Sequence, residues 1–211
     1  MQVNTTVAKH NLDILPAMVP FIEEVRAVQW SVFFLVPTGR ALINQMISAQ
    51  EHERIFHWLY DLSKRAPFDI KSTAAPMYRR VAIQRKKEET NGNQPITFQG
   101  AGFQYADGLH RPVKGVNDGN GFLFISHTGE VEPSGFLPIS AGNVREHDVV
   151  DLYRNAPLFR ELRDYSKLKG KCLRCEYREI CGGQRGRAYS VTGDYMQSDP
   201  ACAYEPAEEA R

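Results

Sequence analysis

At 211 residues, with 42% hydrophobic and 24% charged side chains, the chain has material for one good hydrophobic core or two small ones. Its formal net charge of +1, with basic residues scattered among acids, creates no field that would draw nucleic acid or an anionic membrane. The opening MQVNTTVAKHNL lacks the basic and apolar regions of a signal peptide, and no stretch reaches the roughly 18 apolar residues of a spanning helix, so a cytoplasmic protein is expected.

Residues 2–7, QVNTTV, are rich in β-branched side chains and run into AKHN, which predicts a short strand leading into a turn. Asn11 is then placed to cap a helix over residues 12–27, with Ile14, Leu15, Met18, Ile22 and Val25 on one face. Pro16 suits the first turn of that helix. Pro20 lies deeper and removes a backbone donor, so a kink or break is expected there.

WSVFFLV, residues 30–36, is a continuous apolar run closed by Pro37, Thr38 and Gly39, as for a strand buried on both faces of a parallel sheet. Ser48 followed by Glu51 forms a capping box, after which Ile55, Phe56, Leu59 and Leu62 keep helical spacing as far as Ala66 and Pro67. His52 and His57 on this helix read as surface residues. FDIKST, residues 68–73, is a third short strand, and MYRRVAIQRKK, residues 77–87, a further helix. Such β-α-β-α-β-α alternation implies a parallel sheet with right-handed crossovers, doubly wound or part of a barrel.

Residues 88–118 are rich in Gly, Asn and Asp with little periodicity and read as a linker or long loop. Beyond it, GFLFIS and EVEPSGF flank His127-Thr128-Gly129 as a β-hairpin, followed by helices at residues 149–155 and 157–164. His110, His127 and His147 fall in loops, where a histidine more often closes a turn than binds a ligand.

All four cysteines come next, as Cys172-x2-Cys175-x5-Cys181-x20-Cys202. A Cys-x2-Cys pair lets two thiolates converge on one centre within a single turn, which both zinc and iron-sulfur sites exploit. Zinc ribbons generally complete their site with a second such pair; here the second half is split by twenty residues, and Gly182 and Gly183 follow Cys181. Without side chains those glycines let backbone amides approach sulfur, while Lys171, Arg174, Arg178, Arg185 and Arg187 offer positive charge or a solvated face. The pattern ranks an iron-sulfur cluster ahead of structural zinc, and zinc ahead of a disulfide pair, which a reducing compartment disfavours.

GEVEPSGF, SAGNVREHDVVDLYRNAPLFRELRD and KGKCLRCEYREICGGQRGRAYSVTGD together resemble the SPASM or twitch extension of radical S-adenosylmethionine enzymes, over about residues 119–206. Residues 1–87 resemble the last βα units of the partial barrel of that family, in particular of relatives in haem and haem d1 biosynthesis and in peptide modification. The resemblance implies an α/β partial barrel fragment followed by a small α+β SPASM/twitch-type domain, with a β-hairpin and a cysteine-rich cluster loop.

It also implies that Cys172, Cys175, Cys181 and Cys202 hold an auxiliary [4Fe-4S] cluster, suited by its four protein ligands to electron transfer. Ser134, and Gln184 or Arg185, stand where many relatives have the cysteines of a second cluster, which marks a one-cluster branch. Asn4 and Thr6 at the end of the first strand, with Gly39 and Arg40 after the second, correspond to a wall of the S-adenosylmethionine pocket, although turn chemistry explains Asn and Gly equally well. The family's catalytic Cys-x3-Cys-x2-Cys loop occurs nowhere in these 211 residues. Cleavage of S-adenosylmethionine is therefore expected only if an N-terminal barrel half, on another polypeptide, is supplied. Without that half the first strand is an exposed edge and the chain should self-associate. The competing expectation is a non-catalytic iron-sulfur or structural zinc module; the substrate, a porphyrin, a peptide or a small metabolite, stays open.

Overall fold

A computed structural model describes residues 1–91 and 116–207. It falls into two compact units. The first holds Met1–Leu35, the chain from Ala41 through the third helix, and Ala201–Ala203; the second holds Val36–Arg40 and most of the chain beyond the third helix. The expected linker over residues 88–118 lies largely outside the described residues.

In the first unit, strands β1 (Gln2–Val7), β2 (Gln29–Phe34) and β3 (Asp69–Thr73) form a parallel sheet in that order. Helices α1 (Leu15–Glu24), α2 (Ala49–Ser63) and α3 (Met77–Glu89) complete the expected alternation. The start departs from expectation. A 3-10 helix, Lys9–Ile14, precedes α1, and Asn11 lies within it. Rather than capping a long helix, Asn11 closes the turn after β1, accepting from the Ala8 amide at 2.9 Å and donating to the Thr6 carbonyl at 2.8 Å. Pro20 sits inside an unbroken α1, on an exposed side of it; the irregularity falls one turn earlier, at the change from 3-10 to α geometry before Pro16.

Ser48 and Glu51 cap α2 as predicted, the Glu51 carboxylate accepting from the Ser48 amide at 2.7 Å and the Glu51 amide donating to the Ser48 hydroxyl at 3.2 Å. The helix turns Ile55, Phe56, Leu59 and Leu62 inward, where they are buried together with Trp30, Val32, Phe34 and Ile70 of the sheet. Edge-on ring contacts join the layers, Phe34 to Phe56 at 5.0 Å and Trp30 to Trp58 at 6.1 Å. His52 belongs to this layer and is not a surface residue. It is 1% exposed, its ring 5.2 Å from that of Phe34 and its Nδ1 2.8 Å from the Ser48 carbonyl. The reason is helical spacing, which puts His52 one turn before Phe56 on the inward stripe.

In-register pairing puts a different set of side chains on the opposite sheet face: Gln2, Asn4 and Thr6 on β1, Gln29, Ser31 and Phe33 on β2, Asp69, Lys71 and Thr73 on β3. Gln2 confirms the shared face by donating to the Ser31 hydroxyl at 2.9 Å. This face is polar except for Phe33, and buried Gln29 Nε2 and Thr73 Oγ1 on it have no hydrogen-bond partner.

The second unit is built on short elements. Strands β4 (Phe124–Ile125) and β5 (Val131–Glu132) form the expected hairpin, closed by the Gly129 amide on the Ser126 carbonyl at 2.9 Å, with Gly129 at φ +93°. Helices α4 (Val149–Asn155), capped by Asp148, and α5 (Pro157–Leu162) come next, and Val131, Leu152 and Phe159 form a core between hairpin and helices. After them come α6 (Gly170–Arg174) and α7 (Arg185–Thr192), which frame the cysteine loop. Among the described residues no helix is long and apolar enough to cross a membrane.

Candidate metal centre

Cys172 lies in α6 and Cys175 ends it, at a C-cap whose extended backbone (φ −72°, ψ 127°) turns the chain out of the helix. The loop beyond it is tight. The Arg178 amide donates to the Cys175 carbonyl at 3.0 Å, and the Cys181 amide to the Tyr177 carbonyl at 2.8 Å. Gly182 and Gly183 then take left-handed backbone, both at φ +65°, where only glycine is free of strain. Asn117 fastens this turn by donating to the carbonyls of Cys181 at 3.1 Å and Gly183 at 2.7 Å. Cys202 comes after the turn at Pro200 and Ala201 and is half-buried.

Two buried acids hold α7 against the loop. Asp118 accepts from the Arg185 amide at 2.9 Å and the Gly186 amide at 3.1 Å, the free donors of the first turn of α7. Burial pushes its carboxyl up; hydrogen bonds from Ser134 and those two amides oppose the shift. Asp199 accepts from the Gln184 amide at 2.8 Å and pairs with Arg187 at 3.1 Å, both side chains being fully buried. Gln184 caps α7 through the Arg187 amide. Gly186 lets α7 approach residue 136, since a Cβ there would stand 2.4 Å from the Phe136 carbonyl oxygen.

None of the four cysteines is in a disulfide; Cys172 is buried and the others are half-buried. The Gly183 amide donates to Cys181 Sγ at 3.4 Å, and Arg185 Nη2 to Cys172 Sγ at 3.8 Å. Leu168, Met196, Tyr165 and Tyr195 pack around Cys172 and give it an apolar side. Cys175 opens on a cleft of about 530 Å³ between Arg174, Arg178 and Glu179. Among the described residues no three His, Cys, Asp or Glu side chains are gathered in the close array of a bound ion. The fit therefore rests on the donors: thiols, one buried beside a cation and one beside an amide, suit a thiolate-bound metal centre.

Of the five basic residues that the sequence offers, Arg185 donates to a sulfur, Cys172 Sγ, at 3.8 Å. Lys171 pairs with Glu205 at 3.0 Å, Arg178 donates to the Leu173 carbonyl at 2.9 Å, Arg187 pairs with Asp199, and Arg174 is exposed. Ser134 is 1% exposed and bonds to Asp118, so a structural task accounts for it. Asn4 lies in the middle of β1 rather than at its end, accepting from Gln2 Nε2 at 2.6 Å, and Thr6 lies near the end of the strand. Both are exposed, as are Gly39 (φ +60°) and Arg40 in the turn after β2. His127 and His147 are exposed, and His110 lies outside the described residues.

No family model matches the chain. Its sequence is 42% identical over 207 residues to an AdoMet-dependent heme synthase of Methanosarcina barkeri, covering 98% of this chain and 57% of that protein. A protein of the same name from Nitratidesulfovibrio vulgaris is also 42% identical, over 97% of this chain and 54% of its own length. A pre-heme d1 synthase of Dinoroseobacter shibae is 26% identical over 96% of this chain and 51% of its own. Among solved structures, Streptococcus suis SuiB bound to S-adenosylmethionine superposes with a TM-score of 0.58 at 17% identity, over 96% of this chain and 45% of that one, a likeness of fold. The chain thus spans about half the length of the curated relatives it matches end to end.

Proposed function

This chain is a relative of the radical S-adenosylmethionine enzymes, and from that kinship we propose that it is the part of such an enzyme that bears an auxiliary [4Fe-4S] cluster on Cys172, Cys175, Cys181 and Cys202. One observation carries the reading: cysteines in no disulfide on a glycine-turned loop, with the Gly183 amide directed at one sulfur and the Arg185 guanidinium at another. When bound, such a cluster supplies one-electron chemistry at a potential set by its surroundings. Four thiolates leave no iron site open, which favours passing an electron to or from a substrate radical over binding the substrate itself. The chain's own part is to fix the sulfurs through α6 and the 175–183 loop, to keep water from Cys172 with Leu168 and Met196, and to direct donors at sulfur.

S-adenosylmethionine cleavage falls to the remainder of the enzyme, since no Cys-x3-Cys-x2-Cys is present here. We assign contact with that remainder, a barrel half on a longer or separate chain, to the β1 edge, and contact with the chemistry inside it to the polar sheet face with Asn4 and Thr6. Gly39 and Arg40, in the turn after β2, are assigned to contact with S-adenosylmethionine as well. The names of the relatives make a tetrapyrrole the first substrate class to try, in a reaction of haem biosynthesis.

The test is the electron paramagnetic resonance signal of the reconstituted, reduced chain, recorded with and without cyanide and S-adenosylmethionine. An unchanged signal supports four-thiolate ligation and electron transfer. A changed one reveals an open iron site and overturns the electron-transfer role. Zinc is the competing occupant, because Cys-x2-Cys turns serve both metals, and metal content separates the two.

A further inference from the structure

We propose that Arg185 is a positioning residue that raises the reduction potential of the cluster, through a charged hydrogen bond to Cys172 Sγ held in place by the absent side chain of Gly183. The inference rests on the cluster reading above.

Arg185 is 2% exposed, and a buried guanidinium is costly unless its donors and its charge are both met. Its donors are met by neutral oxygens and by sulfur. Nη1 donates to the carbonyls of Tyr195 at 2.8 Å and Gln197 at 2.7 Å, Nε to that of Gly183 at 3.3 Å, and Nη2 to Cys172 Sγ at 3.8 Å. None of these bonds ends on a carboxylate. Arg187, two residues on, is equally buried and is paired directly with Asp199. The same helix thus carries one arginine paired directly with an acid and one that sees Asp118 and Asp194 through space while its fork donates to a sulfur.

Gly183 makes the approach possible. At φ +65°, a Cβ on it would stand 2.2 Å from Arg185 Nη2, so the guanidinium occupies the space a side chain would fill. The same glycine gives its amide to Cys181. A positive charge and a donor beside a thiolate both stabilise the more negative, reduced cluster, so both raise the potential. The sequence offers five basic residues for this task; the described bond from Nη2 to Cys172 Sγ favours Arg185.

The test is a potentiometric titration of the reduced-cluster resonance signal in the reconstituted chain, with iron content and far-ultraviolet dichroism recorded beside it. Arg185→Met is expected to lower the reduced-to-oxidised ratio at fixed potential about tenfold, a shift of about 59 mV for one electron. Arg185→Lys, which keeps the charge but loses the fork, should fall between that variant and the parent. Gly183→Ala, which displaces the guanidinium and leaves it in the chain, should shift in the same direction as Arg185→Met. Should Arg185→Met fail to fold, the other two variants decide. Iron-loaded, folded variants with unmoved potentials overturn the role of Arg185 alone; a parent chain that takes up no iron overturns it together with the cluster reading.

Discussion

Asp199→Ala should be among the most damaging single changes in the second unit. Asp199 and Arg187 are both fully buried, 3.1 Å apart, and Asp199 also receives the Gln184 amide that opens α7. Removing the carboxylate takes the acid from a buried guanidinium and the acceptor from the Gln184 amide. Breaking a buried pair on one side costs about 3–5 kcal/mol, against a typical domain stability of about 5–15 kcal/mol. The double change Asp199→Ala with Arg187→Met removes the charge as well as its partner and should recover a large share of the loss, because an apolar replacement of a buried pair is often neutral. Urea-dependent hydrogen exchange of the α7 amides, read by mass spectrometry across the double-mutant cycle, measures both quantities. A single-variant loss under about 1 kcal/mol, or a double variant no better than Asp199→Ala, would refute the reasoning.

Other consequences concern packing, backbone and pH. Phe56→Ala, at 0% exposure between Phe34 and Tyr78, should cost the first unit about 3–5 kcal/mol, seen as a lower urea midpoint in the fluorescence of Trp30 and Trp58. Two glycines at opposite ends of α7 make a contrast. Gly193→Ala, at φ +77° with nothing within 4 Å, should cost only the left-handed backbone term of about 1–2 kcal/mol, whereas Gly186→Ala meets the Phe136 carbonyl at 2.4 Å and should prevent α7 from docking and abolish iron retention. Ser48 holds the Glu51 carboxyl below the usual carboxylate range through its amide and its hydroxyl. That contribution is present above the unfolded carboxyl pKa of about 4.3 and is lost as pH falls through the lower folded value. Ser48→Ala, which removes the cap hydroxyl and keeps the amide, should cost about 1 kcal/mol at pH 7 and a little less in acid, a trend checked by thermal unfolding at a series of pH values.

Much of the first unit was legible because its signals are local. The apolar run at β2, the Ser48–Glu51 box and the helical stripe of α2 each lie within one turn or one strand and declare themselves by spacing. His52 was legible too, one turn before Phe56 on the buried stripe; polarity of the side chain obscured it. The role of Asn11 is not legible locally, because an Asn after a strand can cap a helix or close a turn, and only the positions of the Ala8 amide and Thr6 carbonyl decide. The cysteine loop was visible as a pattern, but its supports were not. Asp118 sits in Asn-Asp-Gly, which reads as a turn, and its partners on α7 are 67 and 68 residues away. Asp199 precedes a proline and carries no local mark of a buried ion pair with Arg187. Interactions across such separations are set by tertiary packing, which periodicity does not encode.

The central claim is that Cys172, Cys175, Cys181 and Cys202 hold one iron-sulfur cluster, and the most direct measurement is iron, acid-labile sulfide and zinc per chain after anaerobic reconstitution, in the parent and in each Cys→Ala variant. The account predicts about four irons and four sulfides per parent chain, with loss in every variant. Stoichiometric zinc without iron, or iron retained when any of these cysteines is removed, would contradict it.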